Sequence, residues 1–112
     1  MIQAFDNRNN DIKVWINGKL LHRDKAKVSV FDSIVQGGDG VWEGIRVYNS
    51  RVFYLDKHLK RLMESAKSMD IENIPSVEKI KTAIFATFFP NWSLCSIVRP
   101  AVSSLYASSI CS

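Results

Sequence analysis

The sequence predicts an α+β fold, in which an antiparallel sheet is followed by two helices, and three observations support this class. Short β-rich runs joined by tight turns occupy the first half of the chain. Near Leu55 the hydrophobic period changes from 2 to 3.6 residues, as it does where strands give way to amphipathic helices. The chain has 112 residues, of which 46% are hydrophobic and 23% charged, which suits one globular domain with a modest core. Strands followed by helices are typical of the α+β class.

The first predicted strands form a hairpin. Residues 13–16 and 19–22 are β-rich, and Asn17-Gly18 between them is the strongest two-residue hairpin signal, because both positions tolerate a positive φ. Residues 27–31 alternate polar and apolar side chains. This alternation predicts a third strand, with Val28 and Val30 facing inward.

The second half of the predicted sheet is also a pair of strands. Residues 35–40 contain three glycines and are predicted to form a loop. Residues 41–48 then read as a strand, and Asn49-Ser50 is a turn, weaker than Asn-Gly, that leads into a strand at 51–54. The glycine cluster lacks the lysine and serine of a P-loop and precedes a strand, so we interpret it as a tight loop rather than a phosphate loop.

Two amphipathic helices are predicted after the sheet. The first is capped by Asp56, stops near Asp70, and has its apolar residues at helical spacing: Leu55, Leu59, Leu62, Met63, Ala66 and Met69. The second has Ser76 as its N-cap and ends at Pro90. Its apolar stripe is Val77, Ile80, Ala83, Ile84 and Phe88.

The charge distribution divides the chain. Residues 84–112 contain one charged side chain, Arg99, and are rich in serine. We therefore predict that the chain changes character near residues 88–91, with a polar N-terminal segment at 1–12 and a Ser-rich apolar tail at 91–112.

Composition argues against several classes of protein. Cys95 and Cys111 match no zinc or redox spacing, and we expect unpaired thiols in a reducing compartment. The N-terminus is polar, which argues against a secretory signal, and no apolar run is long enough to span a membrane. The net charge is only +4, and the basic residues are interleaved with acidic ones, which does not favour nucleic-acid binding. The sequence thus predicts a soluble, intracellular protein, cytoplasmic by default with an organelle address left open, and no metal site.

The stretch from Gly37 to Tyr48 offers the first candidate site. On a strand, Trp42, Gly44 and Arg46 share one face. An aromatic wall, the space left by a glycine and a fixed cation could seat a small carboxylate. Alternatively, Trp42 packs in the core and Arg46 is an exposed strand residue. The opposite face is mostly apolar, so Glu43 on that face needs a hydrogen-bond partner or a place near the sheet margin.

Arg61 is the second candidate. It lies on the first long helix, with His58 three residues and Lys57 four residues before it. Such a basic cluster can bind a phosphate. A solvated basic helix face is the alternative. No Ser/His/Asp set and no general base can be assembled from the remaining residues.

Several motifs in fixed order resemble a known family. They are Val14-Trp-Ile-Asn-Gly-Lys19, Ala26-Lys-Val-Ser-Val30, Gly38-Asp-Gly-Val-Trp-Glu-Gly-Ile-Arg-Val-Tyr48 and Leu55-Asp-Lys-His-Leu-Lys-Arg-Leu62. Over about residues 13–90, the chain resembles the small N-terminal domain of the class IV (fold type IV) pyridoxal-phosphate aminotransferases. The motif Val41-Trp-Glu-Gly-Ile-Arg46 is similar to that of the branched-chain type, and Gly38-Asp-Gly40 is similar to that of the D-amino-acid type.

The resemblance implies a cofactor, a reaction and roles for three residues. Arg61 aligns with the arginine that binds the phosphate of pyridoxal 5'-phosphate, and Trp42 and Arg46 align with the residues that line the substrate side. The reaction moves an amino group between an amino acid and a 2-oxo acid in an enzyme expected to be a homodimer. The family's catalytic lysine lies in a large domain before which this chain is truncated, so we assign no catalytic residue and expect the chain alone to be inactive. Alternatives are a fragment of an aminodeoxychorismate lyase-like enzyme, or a non-catalytic dimerisation module.

Overall fold

The computed structural model describes residues 6–91, 97–102 and 106–109. These residues contain seven strands and three α-helices, besides 3-10 turns at Asn7–Asn9 and Arg23–Lys25. The strands are β1 (Lys13–Ile16), β2 (Lys19–His22), β3 (Val41–Trp42), β4 (Ile45–Tyr48), β5 (Arg51–Val52), β6 (Ile97–Val102) and β7 (Tyr106–Ser109). The helices are α1 (Ser33–Gly37), α2 (Leu55–Ser68) and α3 (Val77–Asn91). Cys95, Cys111 and the first five residues of the predicted N-terminal segment lie outside the described residues.

The strands form an antiparallel sheet in the order β2-β1-β7-β6-β4-β5, and β3 also pairs with β6. This confirms the predicted α+β class. The sheet differs from the prediction in its centre, because β6 and β7 come from the predicted tail. Val98 pairs with Ile45 of β4, and Ala107 pairs with Trp15 of β1. The stretch of low charge after residue 84 therefore contains the end of α3 and two interior strands of the same sheet.

The predicted hairpin between β1 and β2 is confirmed. Ile16 pairs with Lys19, and the two turn residues between them have positive φ, 48° at Asn17 and 87° at Gly18. We expect Gly18→Ala to lower the free energy of unfolding by about 1 kcal/mol, because a Cβ is strained at this φ. Urea unfolding measures the loss, and Gly44→Ala is the matched control.

A Cβ at Gly44 would meet Trp42 Cζ3 at an ordinary 3.6 Å, and its φ lies outside the left-handed region. The control is therefore expected to unfold close to wild type. Equal stability of the two alanine variants would contradict the turn argument.

The predicted third strand at residues 27–31 is wrong. These residues form no strand, and Val30 and Phe31 are 65% and 85% exposed. Local hydrogen bonds occupy the backbone here instead. Phe31 N donates to Ser29 Oγ, and Gln36 Nε2 donates to Val30 O. Ser and Asp side chains that bond nearby backbone compete with a strand ladder, which the alternation of residue types does not register.

The loop predicted at residues 35–40 is shorter than expected, because its first three residues belong to the short helix α1. Asp32 Oδ1 accepts a hydrogen bond from Ile34 N and caps the start of this helix. Gly38 ends it with a φ of 73°. The loop proper then covers residues 38–40 and leads into β3.

The predicted strand at 41–48 is interrupted but keeps its alternation. Glu43 and Gly44 separate β3 from β4, while Val41, Glu43 and Ile45 remain buried. The intervening side chain of Trp42 is 63% exposed. The predicted faces are thus confirmed, and the alternative in which Trp42 packs in the core is wrong. The strand predicted at 51–54 ends at Val52, because Tyr54 takes a left-handed φ of 50° at the start of α2.

The helix α2 packs against β3 through its predicted apolar face. Leu59, Leu62 and Ala66 are buried in the core, whereas Met69 is exposed. Asp56 is not the N-cap: it lies in the first turn and pairs with Lys81 of α3 at 2.9 Å. The acidic side chain is still placed favourably, since a negative charge suits a helix N-terminus.

The helix α3 begins at its predicted cap, where Lys79 N donates to Ser76 Oγ at 3.2 Å. It continues one residue past Pro90, its predicted end. That last residue, Asn91, is fully buried and joins the helix to β1. Asn91 Oδ1 accepts from Lys13 N at 2.8 Å, and Nδ2 donates to Lys13 O at 2.9 Å and to Thr87 O at 2.7 Å.

The core lies between the sheet and the two long helices. Its buried members are Val41, Ile45, Leu59, Leu62, Ala66, Ile80, Ile84 and Phe88. None of the helices in the part of the chain that the structure describes is long and apolar enough to cross a membrane.

Candidate functional site

A buried carboxylate lies at the junction of β3 and β4. Glu43 is 6% exposed and is directed inward with Val41 and Ile45, toward the helix α2. His58 and Arg61 are three residues apart on that helix and therefore lie on the same side of it. A buried charge is costly unless it is paired and hydrogen-bonded, and these two side chains supply the pairing.

The pairing involves three short hydrogen bonds. Arg61 Nε donates to Glu43 Oε1 and Arg61 Nη2 donates to Glu43 Oε2, both at 2.6 Å. His58 Nδ1 lies 2.8 Å from Glu43 Oε2. Because an ionised carboxylate only accepts, Nδ1 is the protonated nitrogen in this bond. The sequence expectation that Glu43 needs a partner is confirmed, and the partners are the two residues of the His-x-x-Arg motif.

The ion pair keeps Glu43 charged despite its burial. The hydrogen bond from Arg61 lowers the pKa of Glu43 below its ordinary value near 4.5, and the bond from His58 lowers it further. Burial acts in the opposite direction but is outweighed. The same hydrogen bond raises the pKa of Arg61. Both groups are therefore charged over the physiological range.

This pKa shift predicts how stability depends on pH. A carboxylate whose folded pKa is lowered stabilises the fold above its unfolded pKa, and the gain is lost as the pH falls through the folded pKa. We expect wild type to lose more free energy of unfolding than Glu43→Gln between neutral pH and about pH 3. Urea unfolding at both pH values measures the difference, and Glu64→Gln, on the exposed face of α2, is the control. Parallel losses in all three proteins would argue against the pair.

Arg61 has a second edge that Glu43 does not use. Its side chain is 65% exposed, and Nη1 makes no hydrogen bond to any residue in the described ranges. Arg61 lines a shallow depression of about 340 Å³ together with Tyr54, Lys57 and His58. Lys57 Nζ lies 4.7 Å from the centre of the Tyr54 ring. A fixed guanidinium with unused N–H groups in a basic depression fits a phosphate, which prefers bidentate contact with arginine.

The predicted substrate residues lie together on the other face of the β3–β4 segment. Trp42, Gly44 and Arg46 are exposed on this face, and Tyr48 follows them. The position of a Cβ at Gly44 is 3.6 Å from Trp42 Cζ3, so the indole flanks the space that the glycine leaves open. The guanidinium of Arg46 has no ion pair within the described part of the chain. Trp42 and Arg46 thus face away from Glu43, whose carboxylate holds Arg61.

No three His, Cys, Asp or Glu side chains among the described residues are grouped as a metal site would require. An antiparallel sheet with a helix-borne arginine held by a buried glutamate, and an aromatic and an arginine on the reverse face, fits a domain that helps to bind a phosphorylated, carboxylate-bearing ligand.

The family model for Amino-transferase class IV matches residues 40–106, more than half of the chain. The chain therefore belongs to the class IV aminotransferase family. The match covers β3 to the start of β7 and so runs past the domain boundary that the sequence suggests at residue 90.

The curated relatives include aminotransferases of both types that the sequence motifs resemble, the branched-chain type and the D-amino-acid type. The chain is 49% identical over 83 residues to branched-chain-amino-acid aminotransferase-like protein 1 of Arabidopsis thaliana, covering 74% of this chain and 15% of the relative. It is 40% identical over 73 residues to D-alanine aminotransferase of Bacillus licheniformis, covering 65% of this chain and 26% of the relative. The chain thus spans between a seventh and about a quarter of the length of these relatives.

Solved structures share the fold. A branched-chain aminotransferase of Thermoproteus uzoniensis, solved with norvaline, has a TM-score of 0.75 and 29% identity, over 90% of this chain and 41% of that one. A branched-chain amino acid aminotransferase of Escherichia coli has a TM-score of 0.74 and 26% identity, over 88% of this chain and 39% of that one. The described strands and helices are therefore those of the N-terminal domain in aminotransferases of this class.

Proposed function

We propose that this chain is the N-terminal part of a pyridoxal-phosphate-dependent aminotransferase, and that Arg61 holds the phosphate of the cofactor. The observation that carries the proposal is the Arg61 side chain: Glu43 binds its Nε and Nη2, its Nη1 has no partner among the described residues, and Arg61 lines a basic depression. A phosphate there would meet unused N–H groups of Arg61, with Lys57 adding positive charge. When bound, the cofactor supplies an aldehyde that can accept an amino group from an amino acid and pass it to a 2-oxo acid.

The reverse face of β3 and β4 is proposed to take the substrate. The guanidinium of Arg46, which has no ion pair among the described residues, offers two parallel N–H groups that suit the carboxylate shared by amino acids and 2-oxo acids. Trp42 provides an apolar wall beside it, and Gly44 leaves the space between them open. The relatives support a substrate of the branched-chain or D-amino-acid type.

The whole enzyme is proposed to be a homodimer in which this domain lies over the cofactor and excludes water. The chain's own residues then bind and orient: Arg61 anchors the phosphate, and Arg46 and Trp42 place the substrate. No proton-transferring group is assigned among the described residues. Burial of the cofactor between protein surfaces would strengthen both charged contacts, since screening by water is reduced.

Titration with pyridoxamine 5'-phosphate tests the phosphate site. This form of the cofactor carries the phosphate but cannot condense with surface lysines, so any response reports binding. We expect it to shift the amide resonances of residues 54–61 in a nuclear magnetic resonance spectrum of the chain, while pyridoxamine, which lacks the phosphate, does not. Equal responses to both compounds, or shifts confined to other parts of the chain, would overturn the proposal.

A further inference from the structure

Glu43 connects the strand segment to the helix that carries Arg61. Its side chain emerges where the strand is interrupted between β3 and β4, and it bonds two residues one turn apart on α2. The carboxylate is buried, while the arginine that it binds is mostly exposed. Packing therefore fixes the position of Glu43, and the position of the Arg61 guanidinium depends on Glu43.

The geometry of the pair determines which edge of Arg61 is offered to a ligand. Two parallel hydrogen bonds to Nε and Nη2 fix the plane of the guanidinium as well as its position. His58 Nδ1 holds the same carboxylate oxygen and so limits rotation of the acid. An exposed arginine without such a partner would sample many rotamers and lose that freedom on binding. Held as it is, Arg61 can offer Nη1 to a ligand without that loss.

We propose that Glu43 is a positioning residue, which orients Arg61 so that the free edge of its guanidinium meets the phosphate of the ligand. This inference rests on the proposed function, since it concerns the same phosphate. Glu43 itself does not touch the ligand, because it bonds Arg61 from the core side. His58 acts as the second support of the carboxylate.

Because Glu43 is negatively charged, its effect as a positioning residue can be distinguished from its electrostatic effect on a bound phosphate. A carboxylate close to a phosphate site repels the phosphate, so on charge alone its neutralisation would strengthen binding. Positioning predicts the opposite sign, because a freed guanidinium must be ordered again by each ligand. The direction of the change in affinity therefore decides between the two accounts.

Glu43→Gln in the full 112-residue chain is the principal variant. The glutamine keeps the size of the side chain but cannot accept from both Arg61 nitrogens, since one of its two terminal atoms is a donor. We expect binding of pyridoxamine 5'-phosphate to weaken about tenfold, as is typical when one charge-assisted contact is lost. Glu64→Gln, which removes the same charge from the exposed face of α2, is expected to bind no more weakly than wild type.

A second variant and a measurement on wild type guard against loss of folding. Glu43→Asp keeps the charge but shortens the reach, so the same direction of change is expected at constant charge. In wild type, the Nε–H of Arg61 is expected to exchange with water more slowly than that of Arg46, which has no side-chain partner among the described residues. This comparison needs no substitution.

The outcomes separate the inference from the proposed function. Wild type that prefers pyridoxamine 5'-phosphate over pyridoxamine, with weaker binding in the Glu43 variants, supports both. Binding by Glu43→Gln that equals or exceeds wild type overturns the positioning role and leaves the phosphate site standing, as does equally fast exchange at Arg61 and Arg46. A wild-type chain that does not distinguish the two compounds overturns the proposed function, and the inference with it.

Discussion

Arg61→Lys is expected to weaken the binding of pyridoxamine 5'-phosphate by about 10- to 100-fold, which corresponds to the loss of one or two charge-assisted hydrogen bonds. Lysine keeps the positive charge for Glu43 but is a single point donor, so it cannot hold the carboxylate with one edge and offer a second edge to the phosphate. Isothermal titration or resonance shifts of the chain measure the change. Binding of pyridoxamine is expected to be unaffected, because that compound lacks the phosphate.

Lys60→Ala is the matched control for this variant. Lys60 lies next to Arg61 on α2 but is exposed, and its ion-pair partner is Glu64 at 4.0 Å. Its removal takes one positive charge from the chain without touching the depression, whereas Arg61→Lys leaves the net charge unchanged. If Lys60→Ala weakened binding more than Arg61→Lys, the affinity would reflect overall charge and not a site at Arg61.

Asn91→Ala is expected to lower stability more than Gly18→Ala does. It leaves the N–H and C=O of Lys13 and the carbonyl of Thr87 without the partner that the fully buried amide provides. Each buried polar group left without a hydrogen bond costs about 1–3 kcal/mol, and we expect a total loss of about 2–4 kcal/mol. Because the amide joins α3 to β1, the loss affects a contact between distant parts of the chain.

Thr82→Ala is the control for this prediction on the same helix. The Thr82 hydroxyl also donates to a helix carbonyl, that of Glu78, but it does so on the exposed face. Its removal is expected to change the free energy of unfolding by less than about 0.5 kcal/mol. Urea unfolding of the two variants against wild type gives the comparison, and similar losses would contradict the role of Asn91 as a buried link.

Local signals in the sequence were sufficient where each pattern had one interpretation. The Asn17-Gly18 turn, the Ser76 cap and the face alternation from Val41 to Ile45 all follow from short-range rules, and the structure confirms each of them. The prediction of a strand at residues 27–31 was wrong although the residues alternate as in a strand. Ser29 and Asp32 instead accept hydrogen bonds from the nearby backbone. No short-range pattern contains that competition.

The central strands could not be placed from the sequence because their position depends on contacts across the whole chain. The register that puts Val98 beside Ile45 joins residues more than fifty positions apart. Likewise, the sequence could state that Glu43 needs a partner but could not select Arg61 and His58 from its basic residues. The signal that could have done so is the combination of an inward acid on the strand with a His-x-x-Arg spacing on the following helix.

The central claim is that Arg61, oriented by Glu43, holds a phosphate. A crystal structure of the chain with pyridoxamine 5'-phosphate tests it most directly. We expect the phosphate oxygens within about 3 Å of Arg61 Nη1, the usual hydrogen-bond distance, with the pair between Arg61 and Glu43 unbroken. A phosphate bound at Arg46, or one that displaces Glu43 from Arg61, would contradict the account.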